Sequence, residues 1–197
     1  FWLKNNFYTN NFLESIRLAT FNITSILTGT GYSSSNYNSW GSFGLVIMII
    51  IMFIGGCAGS TTGGIKIFRL QLLFRGTKTQ IKKLTQPHGV FITSFNGRSV
   101  TDEAYNSIMG FFFIYILIFI LASMALSFFN LDFLTSFSAA ASAISNVGPG
   151  LGNLIGPNSN YSSLPSGAKW ILSITMLIGR LELFTFLVLL SISFWKK

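Results

Sequence analysis

Two short stretches place small residues and backbone oxygens where a bare cation could be held. Thr28-Gly29-Thr30-Gly31-Tyr32 and Asn146-Val147-Gly148-Pro149-Gly150 each carry glycine in alternation with other residues, just after a semi-apolar run. Glycine lets a backbone turn its carbonyls to one side with no Cβ in the way, and a row of carbonyls can replace the hydration shell of an ion. A simple glycine turn between helices is the plain alternative for either loop alone. A third stretch, Gly55 to Gly64 (GGCAGSTTGG), is built almost wholly of small residues. Its Gly59 and Gly64 have the spacing of a phosphate-binding loop, but Ile65 stands where that loop needs lysine. Gly55 and Gly59 also fit a helix-packing face, although such a face has no need of so many Gly, Ser and Thr in one run. The remaining candidate is Arg180, a charge inside an apolar segment. Glu182 is two residues away and so not on the same helical face, which leaves Arg180 to find another partner or a watery cavity. In a cation pathway a fixed positive charge is a barrier element and not a binding site.

These residues need elements that hold them at depth. Half of the 197 residues are hydrophobic, 9% are charged and mean hydropathy is +0.59. Soluble domains carry about 25% charged residues, so membrane is the first class to test, and the apolar segments below make the expected fold all-α and polytopic. The net charge of +8 does not indicate nucleic acid, because the cations sit beside apolar runs and not on a polar domain. One cysteine, Cys57, and one histidine, His88, exclude an intrachain disulfide and make a metal cluster a poor fit. A membrane enzyme would need convergent nucleophilic or ionisable groups, and the apolar segments offer only Arg180 and Glu182. No organic cofactor is expected in this chain.

Residues 109–129 carry no charge and are long enough to cross a bilayer, which takes about 20 apolar residues. Residues 170–195, with Trp170 and Trp195 at the ends, form a second candidate span. Residues 43–54 are apolar but too short, run into the 55–64 stretch, and resume as an apolar pattern over 65–74. Two half-length helices around a glycine-rich break form a discontinuous membrane helix, which survives only where it is buried or lines a cavity. Residues 12–27 and 132–145 are short helices that suit a re-entrant position, the second capped by Asp132. Lys66, Arg69, Arg75, Lys78, Lys82 and Lys83 crowd one connection, with no acid between Glu14 and Asp102. That connection is expected on the cytoplasmic side, and both glycine loops then open outward. The basic stretch reads as a topology signal or as a docking surface for a regulator or anionic lipid.

The order short helix, glycine loop, inward helix occurs twice, and a full outward span precedes the second copy. Span, re-entrant helix, extended loop, span is the plan of a potassium-channel pore, in which the helix aims its negative C-terminal end at the ion.

TGTGY at 28–32, FIGGCAGSTTGGIKIFR at 53–69, SNVGPGLG at 145–152, AKWILSITMLIGRLE at 168–182 and GRLELFTFLVLL at 179–190 resemble the Trk/Ktr potassium transporter superfamily, specifically the bacterial Trk-type membrane subunit. The resemblance covers nearly the whole chain. It implies four pore repeats about a pseudo-fourfold axis, of which this chain resembles the third (1–75) and the fourth (105–197), joined by a cytoplasmic basic connection (76–104). It implies potassium held mainly by backbone carbonyls at Gly29 and Thr30 and at Asn146 and Val147, around the filter glycines Gly31 and Gly148. It implies an intramembrane gate over Gly55, Gly56, Gly59, Ser60, Thr61, Gly63 and Gly64, facing the pore Arg180. Potassium is then the transported ion. The implied partners are membrane lipid, a second copy of the chain and a cytosolic ring of nucleotide-binding regulatory subunits, at a bacterial inner membrane. TGTGY departs from the commoner TTTGF but keeps the key glycine. A sodium or non-selective pathway through the same pore is the alternative, and a structural membrane subunit a more distant one.

Overall fold

The computed structural model describes residues 12–57, 59–60, 62–86, 89, 91, 94–95, 98–181 and 188. Helix α1 (Phe12–Thr28) is followed by a 3-10 turn (Tyr37–Trp40), helix α2 (Gly41–Phe53), a glycine-rich segment, helix α3 (Ile67–Thr85), helix α4 (Asp102–Ser127), helix α5 (Phe133–Ser145) and helix α6 (Ser166–Arg180). Four two-residue strands depart from the all-helical expectation. β1 (Ile54–Gly55) pairs in parallel with β2 (Ile65–Lys66), and β3 (Ser94–Phe95) pairs antiparallel with β4 (Arg98–Ser99).

Local chemistry sets the boundaries. Thr101 caps α4 by accepting from the Ala104 amide at 3.3 Å, and Asp102 and Glu103 follow in the first turn, where the helix dipole favours acids. The helix therefore begins well before the uncharged stretch at 109. Its 26 residues span about 39 Å at 1.5 Å per residue, and it is the one helix among the described residues long and apolar enough to cross a membrane. Asp132 caps α5 as expected, accepting from the Thr135 amide at 3.2 Å. At the other end Asn146 takes a left-handed conformation, φ 54°, and stops that helix. Of the second span expected over 170–195, α6 supplies the part up to Arg180; Glu182 and Trp195 lie outside the described residues. Helix α3 continues through position 75 to Thr85.

Helix α5 is the centre of the packing. Ten of its thirteen residues are buried, Thr135, Ser136 and Ser138 through Ser145. Its Ala and Ser side chains are small enough for α4, α6 and α2 to approach closely. Phe119 of α4 meets Phe53 at 4.9 Å and Phe137 at 4.7 Å, both edge to face, an arrangement worth about 1 kcal/mol beyond burial. Met48 and Met52 of α2 are fully covered in the same core.

Candidate ion-pathway site

The C-terminal ends of α1 and α5 both run out into the glycine loops, and they do so with one backbone pattern. In the first loop the Thr30 amide donates back to the Ser25 carbonyl at 3.1 Å; in the second, the Val147 amide donates to the Ser142 carbonyl at 3.0 Å. Left-handed residues follow in matching order. Gly29 (φ 68°) matches Asn146 (φ 54°), and Gly31 (φ 75°) matches Gly148 (φ 110°). Each turn reverses the chain tightly enough to bring its carbonyls out of the helical ladder.

The two loops meet. A Cβ on Gly31 would lie 2.6 Å from the Val147 carbonyl oxygen, and one on Gly29 would lie 3.5 Å from the Asn146 oxygen. Among the described residues the carbonyls of Gly29, Thr30, Asn146 and Val147 accept no hydrogen bond. The next carbonyl does. Gly148 O accepts from Tyr161 Oη at 2.7 Å and from Ser142 Oγ at 2.9 Å. The Ser142 hydroxyl also accepts from the Gly148 amide at 3.1 Å. So the second loop has one carbonyl tied back on its scaffold and two left open. The first loop is backed differently, by a hydroxyl group cluster in which Thr30 Oγ1 lies 3.2 Å from both Ser25 Oγ and Thr28 Oγ1. The Asn38 side chain joins the two units, donating to Gly152 O at 2.9 Å and accepting from its amide at 3.1 Å. Burial raises the pKa of the Tyr161 phenol, which keeps it a donor.

The described part of the 54–66 segment packs where α5 runs into the second loop. Gly63 packs on Ser145 so closely that a Cβ there would collide with the Ser145 carbonyl, and Gly179 of α6 stands in the same relation to Ile144. Asn146 Nδ2 reaches the Met176 carbonyl at 3.1 Å, and Tyr115 Oη is 2.7 Å from Ser145 Oγ. Within the segment the Gly56 amide donates to Thr62 Oγ1 at 2.8 Å, and Thr62 Oγ1 donates to Ser60 Oγ at 3.0 Å. Gly55 faces the Gly63 carbonyl, and Gly64 is left-handed at φ 75°. Gly59 is exposed, and a Cβ there would meet nothing within 4 Å among the described residues. Thr61 lies outside the described residues.

A cavity of 190 Å³ opens beneath, walled by Ser60, Thr62, Gly63 and Gly64 on one side and by Gly179 and Arg180 on the other. Arg180 and the glycine segment thus line one cavity. The same wall includes Lys66 and Arg69, with the Arg69 guanidinium 4.0 Å from the Phe111 ring centre. The charge of those two cations alone points to topology or docking, and the structure turns both toward this cavity. The sequence reading does not single out Ser142, Tyr161 or Asn38. One signal was available for part of this: a serine precedes each loop glycine by six positions, Ser25 before Gly31 and Ser142 before Gly148.

The model of the TrkH family, described as cation transport protein, matches residues 10–196. The chain belongs to the TrkH family. It is 43% identical over 183 residues to the Trk system potassium uptake protein TrkI of Halomonas elongata, covering 93% of this chain and 37% of that relative. It is 35% identical over 196 residues to the Trk system potassium uptake protein TrkH of Escherichia coli K12, covering 100% and 40% respectively. The crystal structure of the potassium transporter TrkH from Vibrio parahaemolyticus superposes with a TM-score of 0.86 at 35% identity, over 96% of this chain and 40% of that one. The chain thus spans about two fifths of the length of these relatives.

Proposed function

We propose that this chain supplies two of the carbonyl-lined walls of a potassium uptake pathway in the bacterial inner membrane. Each wall is a pore repeat of span, re-entrant helix, loop and span. The observation that carries the reading is the set of open carbonyls at Gly29, Thr30, Asn146 and Val147, placed where the two loops come closest. Oxygens with no internal donor are available to a dehydrating cation, and helices α1 and α5 end on them with their negative poles. Potassium is favoured by the names of the relatives, which are potassium uptake proteins.

Below the loops an ion meets the 54–66 segment and a cavity bordered by Lys66, Arg69 and Arg180. Fixed positive charge in a low-dielectric cavity raises the energy of a cation there. The segment is the gate: it closes while Gly63 rests on Ser145 and opens as it swings away from the axis and from Arg180. A second copy of the chain and a cytosolic nucleotide-binding ring are the partners this reading assigns, the ring acting through α3, which leads directly out of the gate. Transport and not catalysis is the role, since the working groups are carbonyls and fixed charges.

The test is uptake of potassium and of sodium by the full-length protein, with its cytosolic partner, in a strain lacking other potassium uptake. Growth at low potassium should be rescued, and Arg180→Ala should raise the leak through the closed state severalfold. Failure of rescue would sink the pathway. Rescue with an unchanged leak in Arg180→Ala would remove Arg180 from the gate and leave the carbonyl walls standing.

A further inference from the structure

Helix α3 leaves the glycine segment with a face that nothing in the described chain covers. Phe74, Ile81 and Leu84 are 76%, 60% and 82% exposed. Ile67, Phe74 and Ile81 recur every seven residues, so they line one side of the helix. Lys78 and Lys82 fall at i+4 and i+8 from Phe74, on the flank of that apolar row. Beside them a cleft of 260 Å³ is walled by Arg75, Lys78, Thr79 and Lys82 of α3 and by Ser94 of the β3–β4 hairpin. Arg75 is held in place, donating from its guanidinium to the Ser94 carbonyl at 2.8 Å and lying 5.5 Å from the Phe95 ring centre. Lys78 and Lys82 make no ion pair among the described residues. The sequence holds no acid from residue 15 to residue 101 that could neutralise them.

We infer that this cleft is a binding site for the phosphate headgroup of an anionic phospholipid of the inner leaflet. Both parts of the surface are needed for that occupant. Three cations around a cleft with a hydroxyl match a phosphate. The adjoining row of Phe74, Ile81 and Leu84 matches an acyl chain, as on helices that lie at a membrane interface. A free phosphate would use only the cations, and an acidic protein segment would leave the apolar row bare. A lipid held there would brace the helix that leads out of the proposed gate. The inference rests on the membrane location in the proposed function, but not on the ion pathway, and its readout is binding, not transport.

The experiment is native mass spectrometry of the full-length protein in neutral detergent. It is titrated with phosphatidylglycerol or phosphatidylcholine, with and without millimolar inorganic phosphate. Phosphatidylglycerol should bind with preference over phosphatidylcholine. Lys78→Gln/Lys82→Gln should weaken it about twenty-fivefold, from about fivefold for each lysine near a charged lipid surface. Lys83→Gln, an equal charge on the opposite side of α3, should leave binding within about twofold of wild type. Inorganic phosphate should not displace the lipid. Equal weakening by Lys83→Gln, displacement by phosphate, or no preference between the lipids would each overturn the site. So would normal lipid binding in the double variant together with loss of a cytosolic protein partner, which would assign the face to protein docking.

Discussion

The two glycine loops share a backbone and differ in what stands behind it. Both turn through a pair of left-handed residues after a donation back to a serine carbonyl six positions before the key glycine. Behind the second loop stand Ser142 and Tyr161, both donating to Gly148 O, Ser142 on a helix that is buried over most of its length and Tyr161 in a 3-10 turn (Tyr161–Ser163). Behind the first stand the local hydroxyl cluster of Ser25, Thr28 and Thr30 and, just past the loop, Asn22, which donates to the Ser34 hydroxyl at 3.0 Å and accepts from the Ser34 amide at 3.1 Å, on a helix with four buried residues, Ser15, Asn22, Ser25 and Ile26. The Gly148 carbonyl is therefore tied to its scaffold by two donors, a tie for which the first loop has no counterpart at Gly31 among the described residues. Similar conformations in the two halves do not imply similar tolerance to change.

The largest expected effect tests that asymmetry directly. Gly31→Ala and Gly148→Ala look equivalent in sequence. Both force a side chain into a left-handed position, at about 1–2 kcal/mol. Only at Gly31 does the new methyl also meet a backbone oxygen, 2.6 Å away at Val147; at Gly148 the nearest atom is 3.9 Å away. Overpacking adds about 1–3 kcal/mol. Gly31→Ala should accordingly lower the unfolding temperature further and cost more potassium selectivity than Gly148→Ala. Equal effects on ion uptake and thermal unfolding would mean that the second loop is no firmer than the first.

A smaller effect concerns the segment beneath. Gly63 presses on Ser145 at the root of the second loop, whereas a Cβ on Gly59 would meet nothing within 4 Å among the described residues. Gly63→Ala should push the segment off the second loop, at about 1–3 kcal/mol, and change the fraction of time the pathway conducts. Gly59→Ala should leave both stability and conductance near wild type. If Gly59→Ala were the more disruptive of the two, the closed position assigned to Gly63 would be wrong.

Much of this arrangement was legible in the residues, and the limit falls at a physical boundary. Apolar length separates α4 from the short helices, because crossing a bilayer sets a minimum. The glycine runs mark the loops and the broken helix, because left-handed backbone and close approach select glycine. Asp132 announces its helix through its capping chemistry. Nothing in sequence spacing links Tyr161 to Gly148, thirteen residues away across a loop with no regular period, or Asn38 to Gly152 in the other unit. The charge of Lys66 and Arg69 is all that a topology rule uses. Which of a run of cations turns toward a cavity depends on how the chain leaves the glycine segment, and that is a tertiary fact.

The finest test of the comparison removes one hydroxyl. Tyr161→Phe keeps the ring and deletes one of the two donors to Gly148 O, leaving Ser142 in place. A hydrogen bond of this kind contributes about 1 kcal/mol, so the loss in stability should be of that order. The preference for potassium over sodium should narrow modestly as the second loop gains freedom. The wild-type bond has a pH dependence of definite sign. Burial holds the phenol above its ordinary pKa, so above about pH 10, the unfolded tyrosine value, the unfolded chain binds fewer protons than the folded one. Stability from Tyr161 is then complete below that pH and is lost as pH rises toward the folded pKa. Unfolding measured on both proteins from neutral to alkaline pH should show the wild type losing its advantage over Tyr161→Phe only in the alkaline range. An advantage that faded near neutral pH, or a variant indistinguishable from wild type in both stability and selectivity, would show that the second loop does not owe its rigidity to this tyrosine.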